Sequence, residues 1–219
     1  MRRINMKSKS FAFVAAGLTA VSAISLTLGS GGPASAAAPQ VGRPAPNFKA
    51  NDADGRVVTL SDFKGKTVVL EWNNPECPFV KKHYDTGNMQ KTQAAALADG
   101  AVWLSINSSA PGKQGHMSGA EAKKVIADQK ARPTAYLLDP KGVVGNGYNA
   151  KTTPHIYIIN KAGALVYAGG IDDKPTKDKD DIKSARNHVL AALGELKAGK
   201  AVSVPTTRPY GCAVKYKDS

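Results

Sequence analysis

Three apolar stretches, Thr67–Trp72, Ala101–Ile106 and Ile156–Ile159, constrain this chain more than any other feature. Short runs rich in Val, Ile and Leu read as strands buried on both faces, which requires other elements packed above and below them. Glu71 is the one charged exception in the first run. Between the runs lie segments that suit helices. Pro78 fits a first helical turn, where its missing N–H is no loss, and the sequence stays helix-compatible to about Leu97. Gly87, within Asp85-Thr86-Gly87-Asn88, weakens or breaks that helix. Ser118 followed by Glu121 has capping-box spacing and opens a helix to about Lys130. Val57–Leu60 and Tyr136–Leu138 add short strands. Ile156–Ile159 and Ala164–Tyr167 are joined by Asn160-Lys161-Ala162-Gly163, a hairpin loop of favoured composition. Asp180–Leu196 reads as a closing helix with Ile182, Ala185, Val189, Leu190 and Leu193 on one face. Strands alternating with helices, then a hairpin and a last helix, predict an α/β fold with a central mixed β-sheet flanked by helices.

The N-terminus has a different character. Arg2, Arg3, Lys7 and Lys9 flank or precede an apolar stretch from Phe11 to Leu28, and Ala34-Ser35-Ala36 supplies small residues for cleavage. This is the three-part pattern of a secretory signal peptide, so residues 1–36 are expected to be removed. Thr19, Ser22, Ser25 and Thr27 dilute a run barely long enough to span a bilayer, and no stable membrane insertion is expected after cleavage. The protein is therefore expected to be exported, to a periplasmic or extracellular location. The remainder divides into a domain over 37–200, with an extended lead-in at 37–47, and a C-terminal tail over 201–219 carrying Cys212.

Lys and Arg number 30 against 17 Asp and Glu, a formal net charge of +13. The lysines are scattered and aromatic residues make up only 6% of the chain, so no basic stripe interleaved with aromatics is present. Nucleic acid is not an expected partner. Both cysteines, Cys77 and Cys212, lie beyond the leader, and in an oxidising compartment two thiols commonly become one disulfide. Neither a Cys-x-x-Cys nor a Cys/His zinc spacing occurs, and no metal or other cofactor is implied.

Several segments resemble the redoxin domains of the AhpC/TSA (alkyl hydroperoxide reductase and thiol-specific antioxidant) group, a peroxiredoxin-like branch of the thioredoxin-fold superfamily. They are Gly42-Arg43-Pro44-Ala45-Pro46-Asn47-Phe48, Leu60-Ser61-Asp62-Phe63-Lys64-Gly65-Lys66, and Tyr167-Ala168-Gly169-Gly170-Ile171-Asp172-Asp173. Thr152-Thr153-Pro154-His155 before a strand is similar to the cis-proline segment of thioredoxin folds, and Gly211-Cys212 to a late Gly-Cys pair of that branch. The resemblance spans residues 41–216 and implies a thioredoxin-like fold. It also implies a cis bond at Pro154, with Thr153 and Pro154 presenting backbone to a bound chain. The active-site stretch departs from the pattern: Trp72-Asn73-Asn74-Pro75-Glu76-Cys77-Pro78 has Asn74 where a first cysteine often stands. Leu70 and Asn74 stand where a peroxidase motif carries Pro and Thr.

On this reading Cys77 is the candidate nucleophile. It falls at a helix start, where unpaired N–H groups and the helix dipole favour an anion, and Lys81, Lys82 and His83 add positive potential. Glu76 either relays protons or opposes the thiolate by repulsion. Trp72 is core or the wall of the substrate cleft. Cys212 is either a resolving thiol on a mobile tail or one half of a structural staple; the staple would contribute roughly 5 kcal/mol. The expected activity is thiol–disulfide exchange with thiol or disulfide protein substrates. Reduction of small peroxides through a Cys77 sulfenic acid is the alternative. From another class come a copper-binding module, with Cys77 beside His83 or His155, and an inert fold held by one disulfide.

Overall fold

The structure, a computed structural model, describes residues 38–217. The leader over 1–36 therefore lies outside the described residues. Nine strands are present: β1 Lys49–Asp52, β2 Val57–Thr59, β3 Val68–Trp72, β4 Val102–Asn107, β5 Ala135–Leu138, β6 Thr152–Thr153, β7 His155–Ile159, β8 Leu165–Gly169 and β9 Cys212–Ala213, all among the described residues. The α-helices are α1 Pro78–Asp85, α2 Asn88–Ala98, α3 Gly119–Asp128, α4 Val143–Gly147 and α5 His188–Lys197.

Seven strands form one sheet in the order β2-β1-β5-β4-β3-β7-β8. The pairs β3–β4 and β4–β5 are parallel, and β1–β2, β1–β5, β3–β7 and β7–β8 antiparallel, so the sheet is mixed as expected. Strand alternation sorts the side chains between two cores. Val68, Leu70 and Trp72 join Leu104, Ile106, Tyr148 and Tyr157 on one face. Val69 joins Cys77, Val80, Trp103, Ile156, Ile158 and Val189 on the other, beneath α1, α2 and α5.

Local signals account for most element ends. The break after α1 falls at Thr86-Gly87, where Gly87 takes a φ of 75°, a conformation that costs glycine little. Ser118 and Glu121 close a reciprocal capping box on α3. The closing helix is shorter than its sequence suggests. A 3-10 turn covers Asp180–Lys183, and α5 begins only after Asn187, whose side chain accepts the Leu190 N–H at 2.9 Å. An N-cap here outcompetes helix continuation, so Ile182 and Ala185 stay outside α5 and Leu190 is exposed.

The segment after α5 is structured and does not hang free. Thr207 N donates to Ala168 O at 3.2 Å, Tyr210 and Val214 are buried, and Ala110 N donates to Lys215 O at 2.8 Å. In between, β9 pairs with β6 in a separate two-stranded sheet, Thr152 opposite Ala213 and Thr153 opposite Cys212. We call this segment, residues 205–216, the strap.

Candidate active site

The loop from Asn73 to Glu76 is fixed before the reactive residue is reached. Asn73 N donates to Ile106 O at 2.8 Å, and Tyr136 Oη donates to Asn73 Oδ1 at 2.9 Å. Asn74 Nδ2 donates to Gln114 O at 3.2 Å, and its Oδ1 accepts the Glu76 N–H at 2.9 Å. Gly115 closes over this amide: a Cβ there would lie 2.1 Å from Asn74 Oδ1. Cys77 is then the N-cap residue of α1, with Pro78 in the first turn, and it has no exposed surface.

Two distant segments meet Cys77. Its Sγ donates to Thr153 O at 3.1 Å, and the Thr153–Pro154 peptide is cis, as the resemblance implied. Cys212 lies in register opposite Thr153, with Cys77 and the Phe79 N–H of the α1 first turn as neighbours of its thiol. Both cysteines are free thiols in the structure. Gly211 makes this approach possible. Its φ is 140° and a Cβ would lie 2.0 Å from the Thr153 carbonyl oxygen, so only a residue without a side chain passes there.

The electrostatics differ from the sequence expectation. Burial, then the neighbouring Cys77, pushes the Cys212 thiol up to about 11, so it holds its proton at neutral pH. His83 adds no positive charge. Burial, and secondarily Lys82, lowers it to about 3, so its ring is neutral. Tyr210 Oη spends its one proton on Asp172 Oδ1, so His83 Nε2 donates to the Tyr210 oxygen at 3.1 Å. His83 Nδ1 then accepts from Asn88 at 2.8 Å. Lys82 is fully buried and turned to the carbonyls of Lys174 and Thr176, at 2.8 and 3.1 Å, 5.6 Å from the centre of the Tyr210 ring. These two residues anchor the strap's surroundings and do not supply a charged platform at the sulfur. Lys81 and Glu76 are exposed, and among the described residues the Glu76 carboxylate has no hydrogen bond or ion pair.

Two further expectations are corrected. Trp72 is not on the substrate side: it is fully buried in the core on the other face of the sheet from Cys77, and its Nε1 donates to Ser108 Oγ at 3.1 Å. His155 is committed elsewhere. Its Nδ1 accepts from Lys151 N and pairs with Tyr157 Oη, both at 3.3 Å, and burial followed by Lys151 lowers it to about 3. His83 has both ring nitrogens engaged and His155 its Nδ1, and among the described residues no group of three or more His, Cys, Asp or Glu is placed to hold a metal ion. The departure from the peroxidase motif stands: Leu70, at its Pro position, is wholly buried in the core, and the amide of Asn74, at its Thr position, is bonded within its own loop.

Sequence reasoning missed Glu71 as an organising residue. Its buried carboxylate accepts from Asn73 Nδ2 at 2.9 Å, Tyr84 Oη at 2.8 Å, Trp103 Nε1 at 2.8 Å, Ser105 Oγ at 2.8 Å and Gln93 Nε2 at 3.4 Å. Its carboxylate pushes the fully buried Tyr84 hydroxyl, already raised by burial, further above its usual value. The signal was visible as one acid in an apolar strand, but its donors come from three elements and the Asn73 loop.

Residues 41–168 match the AhpC/TSA family. The chain belongs to that family. An uncharacterized conserved protein from Geobacillus kaustophilus is similar at 28% identity and a TM-score of 0.69, covering 82% of this chain and 94% of that one. A candidate thiol:disulfide interchange protein DsbE from Chlorobium tepidum is similar at 27% identity and a TM-score of 0.52, over 72% of this chain and 100% of that one. Thioredoxin-like protein YneN of Bacillus subtilis is 26% identical over 145 residues, 65% of this chain and 80% of the relative. The mixed sheet flanked by helices is thus a thioredoxin-like fold, and this AhpC/TSA chain sits among thioredoxin-like thiol–disulfide oxidoreductases. No helix among its described residues is long and apolar enough to cross a membrane.

Proposed function

We propose that this protein is an exported thiol–disulfide oxidoreductase in which Cys77 and Cys212 form one redox pair. The observation that carries the reading is the meeting of both sulfurs at Thr153: Cys77 donates to its carbonyl while Cys212 pairs with its backbone. In the reducing direction the two thiols give two electrons and two protons to a substrate disulfide and close a Cys77–Cys212 bond; the reverse reaction oxidises substrate thiols. Export is supported by the leader-like residues 1–36 and by the need of such a pair for an oxidising partner.

Mass spectrometry of the non-reduced exported protein is expected to show an intramolecular Cys77–Cys212 disulfide, and a glutathione titration a single two-electron transition. A pair used in exchange should titrate well above the structural range, which lies below roughly −300 mV. Cys77→Ser and Cys212→Ser should each abolish the transition. Two free thiols in the oxidised protein would remove this reading.

A further inference from the structure

The strap decides which sulfur an outside partner meets. Cys77 has no exposed surface, whereas Cys212 is partly exposed. An extended peptide that adds to a sheet edge needs unpaired backbone groups there. The backbone of Thr153 is already paired with Cys212, and Gly211 crosses its carbonyl at a distance that admits no side chain. The strap is held on both flanks. Tyr210 binds Asp172 and meets His83 at 3.1 Å, with its ring 5.9 Å from Phe79. Beyond Cys212, Val214 N donates to Lys151 O at 3.1 Å and Tyr216 Oη to Ala150 O at 2.8 Å. The sequence suggested a mobile tail; the structure shows an anchored one.

We propose that the strap is an internal pseudo-substrate occupying the Thr153 edge, and that an external thiol exchanges first at Cys212, with Cys77 as the inner partner. The proposal rests on the paired-cysteine reading above. In the oxidised protein a thiolate RS⁻ attacks Cys212 Sγ; the Cys77–Cys212 bond breaks and its electron pair leaves on Cys77. A second RS⁻ attacks the R sulfur of the mixed disulfide, releasing RS–SR and Cys212 as its thiolate. Two external thiols are oxidised to one disulfide, the protein pair takes up the two electrons, and the two protons end on Cys77 and Cys212. In the reverse direction Cys77 attacks a mixed disulfide at Cys212 and expels RS⁻.

The test uses the full-length oxidised protein. It is mixed with 2-mercaptoethanol, quenched in acid within the first turnover, and mapped by peptide mass spectrometry. The adduct is expected on Cys212 in at least ~tenfold excess over Cys77, because attack follows access. A predominant Cys77 adduct, or equal amounts on both, overturns the proposal. A second arm probes the strap. In reduced Cys212→Ser, Cys77 should resist iodoacetamide; adding Gly211→Ala, which unseats the strap at Thr153, should speed its labelling ~tenfold or more. Equal labelling in the two variants also overturns it. Failure of the underlying pairing is distinguishable, since no Cys77–Cys212 disulfide would then exist before thiol is added, and both readings would fall together.

Discussion

Two buried polar clusters lie on the α1 side of the sheet, and they are built on opposite terms. Around Glu71 the carboxylate is met by donors from the Asn73 loop, α1, α2 and β4, and Gln93, beside it, uses its own Oε1 to accept Arg132 N at 2.7 Å. Around Cys77 the accounts are left open. Thr153 Oγ1 and Asp172 Oδ2 are two of the three buried side-chain polar atoms without a partner among the described residues. A fully paired buried charge fixes a structure, while an unpaired buried polar atom costs about 1–3 kcal/mol. On the proposed function, the difference separates the part of the molecule that holds the fold from the part that changes partners. A sulfur pair that alternates between bonded and free states needs neighbours without a single fixed set of bonds.

That contrast breaks most visibly at Glu71. Glu71→Gln replaces a charge acceptor by an amide whose N–H₂ faces other donors, and is expected to destabilise the fold by about 3 kcal/mol. Urea unfolding measures the loss, and the Cys77–Cys212 potential of the folded fraction should stay where it was. A large shift in that potential would show that the two clusters act as one.

Tyr210→Phe addresses the other cluster. It leaves both Asp172 oxygens buried without a side-chain donor and removes the His83 contact, at a cost of about 2 kcal/mol. The strap, unlike the Glu71 pocket, should respond locally: hydrogen exchange is expected to rise at Gly211–Val214 while the N–H groups of β3 and β4 stay protected. Uniform loss of protection would erase the distinction.

A third comparison is that of pH. His83 and His155 titrate near 3 in the fold, lowered first by burial and then by Lys82 and Lys151 respectively, against about 6.5 in an unfolded chain. The unfolded state therefore binds protons first as pH falls. Their contribution is complete above pH ~6.5 and is lost progressively toward pH ~3, by at most about 1.4 kcal/mol per pH unit for each ring. Comparing urea midpoints of the protein and of His83→Gln between pH 7 and 4 isolates one ring; parallel curves would show that His83 is not held neutral.

The sequence by itself determined the main alternation of strands and helices, though not β1, α4, β6 or β9, and it determined the mixed α/β class, the α1 start at Cys77-Pro78, the break at Gly87 and the capping box of Ser118 and Glu121. Each of these is set by neighbours within a few residues, through backbone freedom, missing donors or local side-chain bonds. It also pointed to Cys77, Cys212 and Pro154 as the residues that matter, through the resemblance they carry. Only the tertiary structure decided what those residues face. Trp72 lost its place at the cleft because strand parity puts it on the opposite face from Cys77. Lys82 and His83 lost their charge role because α1 turns them toward Lys174 and Tyr210, residues far along the chain. Cys212 gained its partner because Gly211 leaves room for the strap to cross Thr153. Sequence spacing carries no record of such encounters, since packing between remote segments is fixed by sheet order and by the space each side chain leaves, and both exist only once the chain has folded.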